Sequence, residues 1–288
     1  MVENLSSIAR FATNALIYEV SLSPKPGLVD HLNNGSHHDM DFDLFMASTT
    51  SLKPYFQLYL EAGFSHKGEP EALFDPLRRL GIEAEKAMFQ ATQGINTHKG
   101  ANFSFALILG ATGAFLRQTS LSFPLTASQS EQILEMVSQI SFRAMERDFN
   151  TISADNPSYG ERLYLEHGFR GIRGEAATGY PSLKNLLLPA LRKDLKQYSS
   201  EEAFHRALLL SMSQIEDGNL IHRGGIEGWR AVKEDCQEAL KNNLSPQDLY
   251  QWLTEYDAIL RSKHLSPGGT ADLIALTYYF MQLEGLIT

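Results

Sequence analysis

The chain has 288 residues, of which 43% are hydrophobic and 20% are charged, a composition typical of a globular protein with a sizeable core. It carries 34 acidic and 25 basic residues, and its net charge of −9 argues against the broad basic surface that nucleic-acid binding needs. A single cysteine, Cys236, excludes an internal disulfide and a zinc site built from several cysteines.

The sequence contains no segment that predicts a membrane span or a signal peptide. The most apolar stretch, residues 103–116, is too short to cross a bilayer and is interrupted by glycine. The N-terminus lacks the layout of a signal peptide, in which a charged region precedes an apolar one. We therefore expect a cytoplasmic protein that acts neither at a membrane nor on nucleic acid.

Hydrophobic periodicity predicts helix along almost the whole chain. Apolar residues recur at the three- and four-residue intervals of one helix face in ten segments: 8–20, 42–60, 77–92, 102–116, 130–145, 182–195, 201–215, 226–240, 247–260 and 271–283. Helix N-caps are predicted at Ser128 and Ser199, each followed three residues later by glutamate, and at Ser245, which precedes a proline. Strand patterns are scarce and no repeat of 20–50 residues is visible, so we predict an all-α fold. We expect a single compact multi-helix domain over residues 1–288.

Glycine, proline and histidine concentrate in five segments between the predicted helices: 23–41, 94–100, 168–181, 217–225 and 266–272. Glycine lets the backbone approach a ligand closely, and several of these segments precede a helix whose free N–H groups attract anions. Cations accompany them at Lys99, Arg170, Arg173 and Arg223. The pattern predicts that Gly-rich loops form the active site and that the ligand is a polyanion such as a polyphosphate.

Carboxylates accompany the same segments. Glu85 shares a predicted helix face with apolar residues, where we expect a perturbed pKa or a charged partner. Asp39, Asp217 and Asp272 are candidate ligands of Mg²⁺, which binds through few carboxylates together with substrate phosphates. The chain has no P-loop and no G-x-G-x-x-G or H-E-x-x-H motif, which excludes a standard α/β nucleotide fold and disfavours a zinc hydrolase.

Taken together, the segments resemble the triphosphoribosyl-dephospho-CoA synthase family. The matching motifs are Ser-Pro-Lys-Pro-Gly-Leu-Val-Asp at 23–30, His37 with Asp-Met at 39–40, Asn-Thr-His-Lys-Gly at 96–100, Arg-Gly-Glu-Ala at 173–176, Asp-x-Asn with Arg-Gly-Gly at 217–225, and Ser-Pro-Gly-Gly-x-Ala-Asp-Leu at 266–273. They follow the order of the family from about residue 18 to 277, and Glu85 also matches. The resemblance implies a mostly helical fold.

The resemblance further implies a transferase whose substrates are ATP, with Mg²⁺, and 3′-dephospho-CoA. In the family's reaction the N-glycosidic bond of ATP breaks and adenine leaves. C1 of the triphosphoribosyl group then joins the ribose 2′-hydroxyl of dephospho-CoA. The product is passed to a holo-acyl-carrier-protein synthase as the prosthetic-group precursor of citrate lyase or malonate decarboxylase.

Such a reaction needs groups that anchor the triphosphate, stabilise positive charge at C1 and deprotonate the 2′-hydroxyl. The candidate substrate-binding residues are Lys25, His37, Asn96, His98, Lys99, Gly100, Arg173, Asn219, Arg223, Gly268 and Gly269. Glu85 and Glu175 are the candidate catalytic residues, and either could serve either role. His264 stands where the family usually has asparagine, which bears on substrate choice.

Two other functions stay open from the sequence. One is a Mg²⁺-dependent helical hydrolase of ADP-ribosyl or other N-glycosidic bonds, and the other is a non-catalytic helical module that binds nucleotides. The number of cations in the glycine-bearing segments favours the synthase, because a triphosphate needs more of them than ADP-ribose does. The acyl-carrier system that is served and the oligomeric state are not predicted.

Overall fold

The computed structural model describes residues 2–119, 123–153, 155 and 157–287, and over them the chain is helical without a β-strand. The twelve α-helices of this part are α1 (Val2–Ser21), α2 (Phe42–Ser65), α3 (Phe74–Ala91), α4 (Lys99–Gln118), α5 (Ala127–Asn150), α6 (Tyr159–His167), α7 (Gly171–Ala177), α8 (Leu188–Asp194), α9 (Ser200–Gln214), α10 (Gly218–Lys241), α11 (Pro246–Ser262) and α12 (Gly268–Leu283). A 3₁₀ turn (Pro70–Leu73) precedes α3, and a π-helical segment (Ser182–Leu187) precedes α8. The all-α prediction is confirmed.

Helices α4 and α12 lie at the centre of one hydrophobic core, since most of their residues are buried. Helix α4 packs most extensively against α2. Glycine makes this close approach possible, because a Cβ on Gly63 or Gly113 would overlap a backbone carbonyl of the facing helix. None of the described helices combines the length and the apolar character needed to cross a bilayer.

Two of the predicted N-caps are confirmed and one is wrong. The side chains of Ser199 and Ser245 each accept a hydrogen bond from the backbone N–H three residues on, at the starts of α9 and α11. Helix α5 begins earlier than predicted, because Thr126 and not Ser128 is its cap. Thr126 Oγ1 accepts from Gln129 N at 3.3 Å, and Gln129 Oε1 accepts from Thr126 N at 2.8 Å, so the two residues form a capping box.

Three of the five glycine-bearing segments are largely helical and not loops: 168–181, 217–225 and 266–272. Residues 168–181 contain α7, and the pattern also missed α6 just before it. In residues 217–225, Asp217 caps α10 and starts it at Gly218, about two turns before the predicted start near residue 226. Gly225 interrupts the helix with φ of +67°, a conformation that glycine adopts without strain. The segments therefore shape the site through helix ends as much as through loops.

Candidate active site

The first turns of α4, α10 and α12 meet at one place in the fold. Gly100 in α4 lies against Asp272 of α12 so closely that a Cβ there would overlap the carboxylate. Asp217, the N-cap of α10, accepts a hydrogen bond from Asn219 N at 2.9 Å and another from Thr270 N of α12 at 2.7 Å. Three motifs that are far apart in sequence thus share one region, where the positive ends of three helices favour anions.

Two acids lie at these helix ends, of which Asp217 is buried and Asp272 is half-buried. Burial raises the pKa of Asp217, although backbone N–H groups offset part of the effect. Burial, together with the charges of Glu19 and Asp217, raises the pKa of Asp272 well above its usual range. Lys25, predicted to bind substrate, is 1% exposed and forms an ion pair with the equally buried Glu19. Its ammonium group therefore counters the charge of Glu19 from inside the core.

The three candidate Mg²⁺ ligands do not form one ligand set. Asp39 is exposed, and its carboxylate lies 3.9 Å from His37 Nδ1. The carboxylate oxygens of Asp217 accept hydrogen bonds from the backbone of α10 and α12. Across the residues that the structure describes, no group of three or more His, Cys, Asp or Glu side chains is arranged to hold a metal ion. The carboxylates alone therefore make no preformed metal centre.

The His98 side chain links the start of α4 to α2 and is not a cation. Its Nδ1 atom shares a hydrogen bond with the Ser48 hydroxyl at 2.7 Å, and Thr97 Oγ1 donates to Ser48 Oγ at the same distance. The Nε2 atom of His98 is buried without a partner. Burial and the charge of Lys25 lower the pKa of His98 to about 3, so the ring is neutral at pH 7. Asn96, also predicted to bind substrate, is exposed and accepts from Lys99 N at 3.3 Å.

Four of the predicted residues line a cavity of about 260 Å³ between α3, α4, α5 and α7, which we call the α3–α4 cavity. They are Glu85, Lys99, Gly100 and Arg173. Lys99 Nζ and Glu85 Oε1 form an ion pair at 2.8 Å, in which the Lys99 side chain is 54% exposed. This accounts for the charged partner that the sequence predicted for Glu85. A cation and a carboxylate thus lie together at the edge of the cavity.

Glu175 does not pair with the neighbouring Arg173. Its carboxylate accepts from Ser182 Oγ at 2.8 Å and from Ser182 N at 3.1 Å. Burial and the charge of Glu216 raise its pKa, so it holds a proton more readily than an exposed glutamate does. Tyr180, which the sequence did not single out, is fully buried with φ of +51° and lies within electrostatic reach of Glu175 and Asp272. Backbone strain of this kind often occurs at functional sites.

Arg223 is held in place by three groups from two other segments. Its guanidinium donates to the carbonyls of Ser36 at 3.0 Å and His264 at 3.3 Å, and to His37 Nδ1 at 3.1 Å. Burial and the Arg223 charge lower the pKa of His37 to about 4, so the ring is neutral and its Nε2–H donates to Ser266 Oγ at 3.0 Å. His264 has φ of +55°, a left-handed conformation in which asparagine, aspartate and histidine are the commonest residues besides glycine.

The remaining candidates shape the meeting point of α10 and α12. A Cβ on Gly268 would overlap the Asn219 amide, and a Cβ on Gly269 would lie 3.3 Å from the Asp217 carboxylate. Nine of the predicted residues therefore form two clusters. The cavity cluster contains Glu85, Lys99, Gly100 and Arg173, and the loop cluster contains His37, Asn219, Arg223, Gly268 and Gly269. Asp217 and Asp272 lie between the two clusters.

Comparisons with known proteins identify the family of the chain. A family model described as ATP:dephospho-CoA triphosphoribosyl transferase matches residues 5–287. Relatives named "Probable 2-(5''-triphosphoribosyl)-3'-dephosphocoenzyme-A synthase" include one from Streptococcus equi subsp. zooepidemicus, 50% identical over 96% of each chain. Others come from Streptococcus pyogenes, 48% identical over 98% of each chain, and Streptococcus mutans, 46% identical over 99% of each chain. No solved structure matches. The chain is thus a transferase that belongs to the ATP:dephospho-CoA triphosphoribosyl transferase family.

Proposed function

We propose that this enzyme transfers the triphosphoribosyl group of ATP to the ribose 2′-hydroxyl of 3′-dephospho-CoA and releases adenine. The product of this reaction is the compound in the names of the relatives. The observation that carries the proposal is the meeting of the first turns of α4, α10 and α12 beside exposed cations. Such a region suits a triphosphate, because each helix end and each cation favours negative charge.

The triphosphate is bound by Lys99, Arg173 and Arg223. All three side chains are exposed, whereas Lys25 is buried in its pair with Glu19. Arg223 is held by two carbonyls, so little conformational freedom is lost when it binds a phosphate. His37 assists as a neutral acceptor that fixes the guanidinium.

In the chemical step the bond between C1 and the adenine nitrogen breaks, and its electron pair leaves with adenine, which takes up a proton. The 2′-oxygen of dephospho-CoA forms the new bond to C1. Its proton passes to Glu175, whose raised pKa suits a general base near neutral pH and whose carboxylate is oriented by Ser182. Glu85 stabilises the positive charge that develops at C1, as carboxylates do in glycoside hydrolysis.

We propose that Mg²⁺ enters bound to the phosphates of ATP. Magnesium in nucleotide sites usually keeps several waters and takes one or two carboxylates, so a full protein ligand set is not required. Asp272 is the acid that fits this role, because it forms no ion pair within the described residues and lies against the first turn of α4. The ion would neutralise phosphate charge when bound.

The product carries the ribosyl phosphate chain of a carrier-protein prosthetic group. We propose that a holo-acyl-carrier-protein synthase consumes it, in the service of citrate lyase or malonate decarboxylase. Both substrates are cytoplasmic metabolites, so we place the reaction in the cytoplasm.

Incubation with ATP, Mg²⁺ and 3′-dephospho-CoA, followed by mass spectrometry, tests the proposal. We expect one new compound with the mass of dephospho-CoA plus the triphosphoribosyl group. CoA itself, with its 3′-phosphate beside the reacting hydroxyl, should react more slowly. Formation of ADP or AMP without free adenine would contradict a transfer at C1. Adenine release that does not need dephospho-CoA would instead support an N-glycosyl hydrolase.

A further inference from the structure

We propose that the α3–α4 cavity binds the adenine ring of ATP, so that the base enters the cavity while the triphosphate stays outside. The inference rests on the proposed function and assigns the substrate group that this cavity holds. Half of the residues that line the cavity are apolar: Phe74, Leu77, Ile82, Phe103, Ala106, Leu107, Met145 and Ile172. The polar part of the wall consists of Asn102, the paired Arg78 and Asp148, and the charged edge formed by Glu85, Lys99 and Arg173. An aromatic ring and aliphatic groups around one space are suited to a flat heteroaromatic base.

The size of the cavity favours one part of a nucleotide over a whole cosubstrate. Pockets that hold entire drug-sized molecules measure about 300–1,000 Å³. At about 260 Å³ the cavity lies below this range, so it would enclose part of a nucleotide and a smaller part of dephospho-CoA. A purine ring without its sugar and phosphates fits a cavity of this volume.

The charges at the edge of the cavity indicate which nucleotide enters. Lys99 and Gly100 belong both to the wall of the cavity and to the first turn of α4, and Arg173 lines it from α7. In the proposed function Lys99 and Arg173 bind the triphosphate. One ATP molecule can therefore place its base inside and its phosphates at the edge, with the ribose between them.

This placement also fits the chemistry. C1 joins the base to the sugar, so it would lie at the cavity edge, where Glu85 is paired with Lys99. A carboxylate is needed at that atom, because positive charge develops on C1 as adenine leaves. The adenine of dephospho-CoA has no such requirement, since its own glycosidic bond stays intact. The cavity is therefore assigned to ATP and not to the acceptor.

A pair of matched substitutions tests the assignment. Ala106 lies in the wall of the α3–α4 cavity, and Ala106→Leu would fill part of the space. Ala72 lines a neighbouring cavity of about 380 Å³ on the other side of Phe74, so Ala72→Leu is the control. We expect Ala106→Leu to raise KM for ATP about tenfold or more, the effect of losing good contacts to one base. KM for dephospho-CoA should change less than twofold in both variants.

Binding of free adenine gives a readout that does not depend on turnover. Saturation-transfer NMR should detect adenine on the wild-type protein and on Ala72→Leu, ATP should displace it, and Ala106→Leu should abolish the signal. If Ala106→Leu unfolds, Phe103→Leu replaces it, since it removes the aromatic face and keeps an apolar wall. A rise in KM for dephospho-CoA alone, or adenine binding unaffected by a filled cavity, would overturn the assignment. Failure of the proposed function would appear separately, as the absence of adenine release from ATP by the wild type.

Discussion

Asp217 caps two helices at once, so Asp217→Ala tests how the site is assembled. Its carboxylate accepts from the N–H groups of Asn219 and Leu220 in α10 and of Thr270 in α12, at 2.9, 3.2 and 2.7 Å. Asn219 is exposed, and water can replace its lost partner. Leu220 and Thr270 are fully buried, so their N–H groups would stay unpaired.

Each unpaired buried N–H costs about 1–3 kcal/mol, which gives about 2–6 kcal/mol for two. Removing a buried carboxylate offsets part of this cost, because burial disfavours its charged form. We therefore expect Asp217→Ala to lower the free energy of unfolding by about 2–4 kcal/mol.

Urea unfolding at pH 7 measures this loss, with Asp217→Asn as the graded control. The asparagine keeps one oxygen and turns an N–H donor toward the other helix, so it should preserve the cap of one helix and lose about half as much stability as alanine. A loss below about 1 kcal/mol in the alanine variant would refute the capping role. Full stability of Asp217→Asn with no activity would instead indicate a role in binding Mg²⁺.

Glu175→Gln should stop transfer in single-turnover kinetics with little change in the unfolding temperature. The reason is that the amide oxygen still accepts a hydrogen bond from Ser182 but the amide takes up no proton. Retention of a tenth of the wild-type rate would exclude Glu175 as the base. Lys99→Ala should raise KM for ATP about tenfold. The free energy of unfolding should change by less than about 1 kcal/mol, since the ion pair of Lys99 with Glu85 is partly exposed. An unchanged KM for ATP would show that Lys99 does not bind the triphosphate. Burial lowers the pKa of His205 to about 4. As the pH falls from 6.5 to 4, the unfolded chain therefore takes up a proton on this residue that the folded chain does not. His205 thus lowers the free energy of unfolding over this range. His205→Phe should make this fall less steep in urea titrations, and identical curves would contradict the burial argument.

Long helices were predictable from the sequence, whereas the short helices α6 and α7 were not. Periodicity identifies a helix over many turns, and α4 and α12 have both the apolar content and the glycine-marked starts that the pattern requires. Helix α7 has seven residues and two glycines, so its own sequence favours a turn. Packing on α5 stabilises it: Ser138 and Ser141 donate to the carbonyls of Ala177 and Ala176 at 2.8 and 2.9 Å. Contacts of this kind join residues about 40 positions apart, and no local pattern shows them.

The site residues, like the helices, were predictable from the sequence only in part. The motifs identify residues that the fold brings together, such as Gly100 with Asp272, because their glycines are required by close packing. They do not distinguish Lys25 from Lys99, although the first is buried against Glu19 and the second is half exposed. Burial and partners decide whether a cation can reach a phosphate, and both depend on the tertiary structure.

The central claim is that the bond between C1 and adenine breaks and that the ribosyl fragment moves to dephospho-CoA. ATP with one isotopic label in the ribose and another in the base tests it directly, because the two labels must separate. We expect the ribose label in the dephospho-CoA product and the base label in free adenine, in a one-to-one ratio and in the presence of both substrates. Labels that stay together in ADP or AMP, or a ribose label that appears in free triphosphoribose, would contradict it.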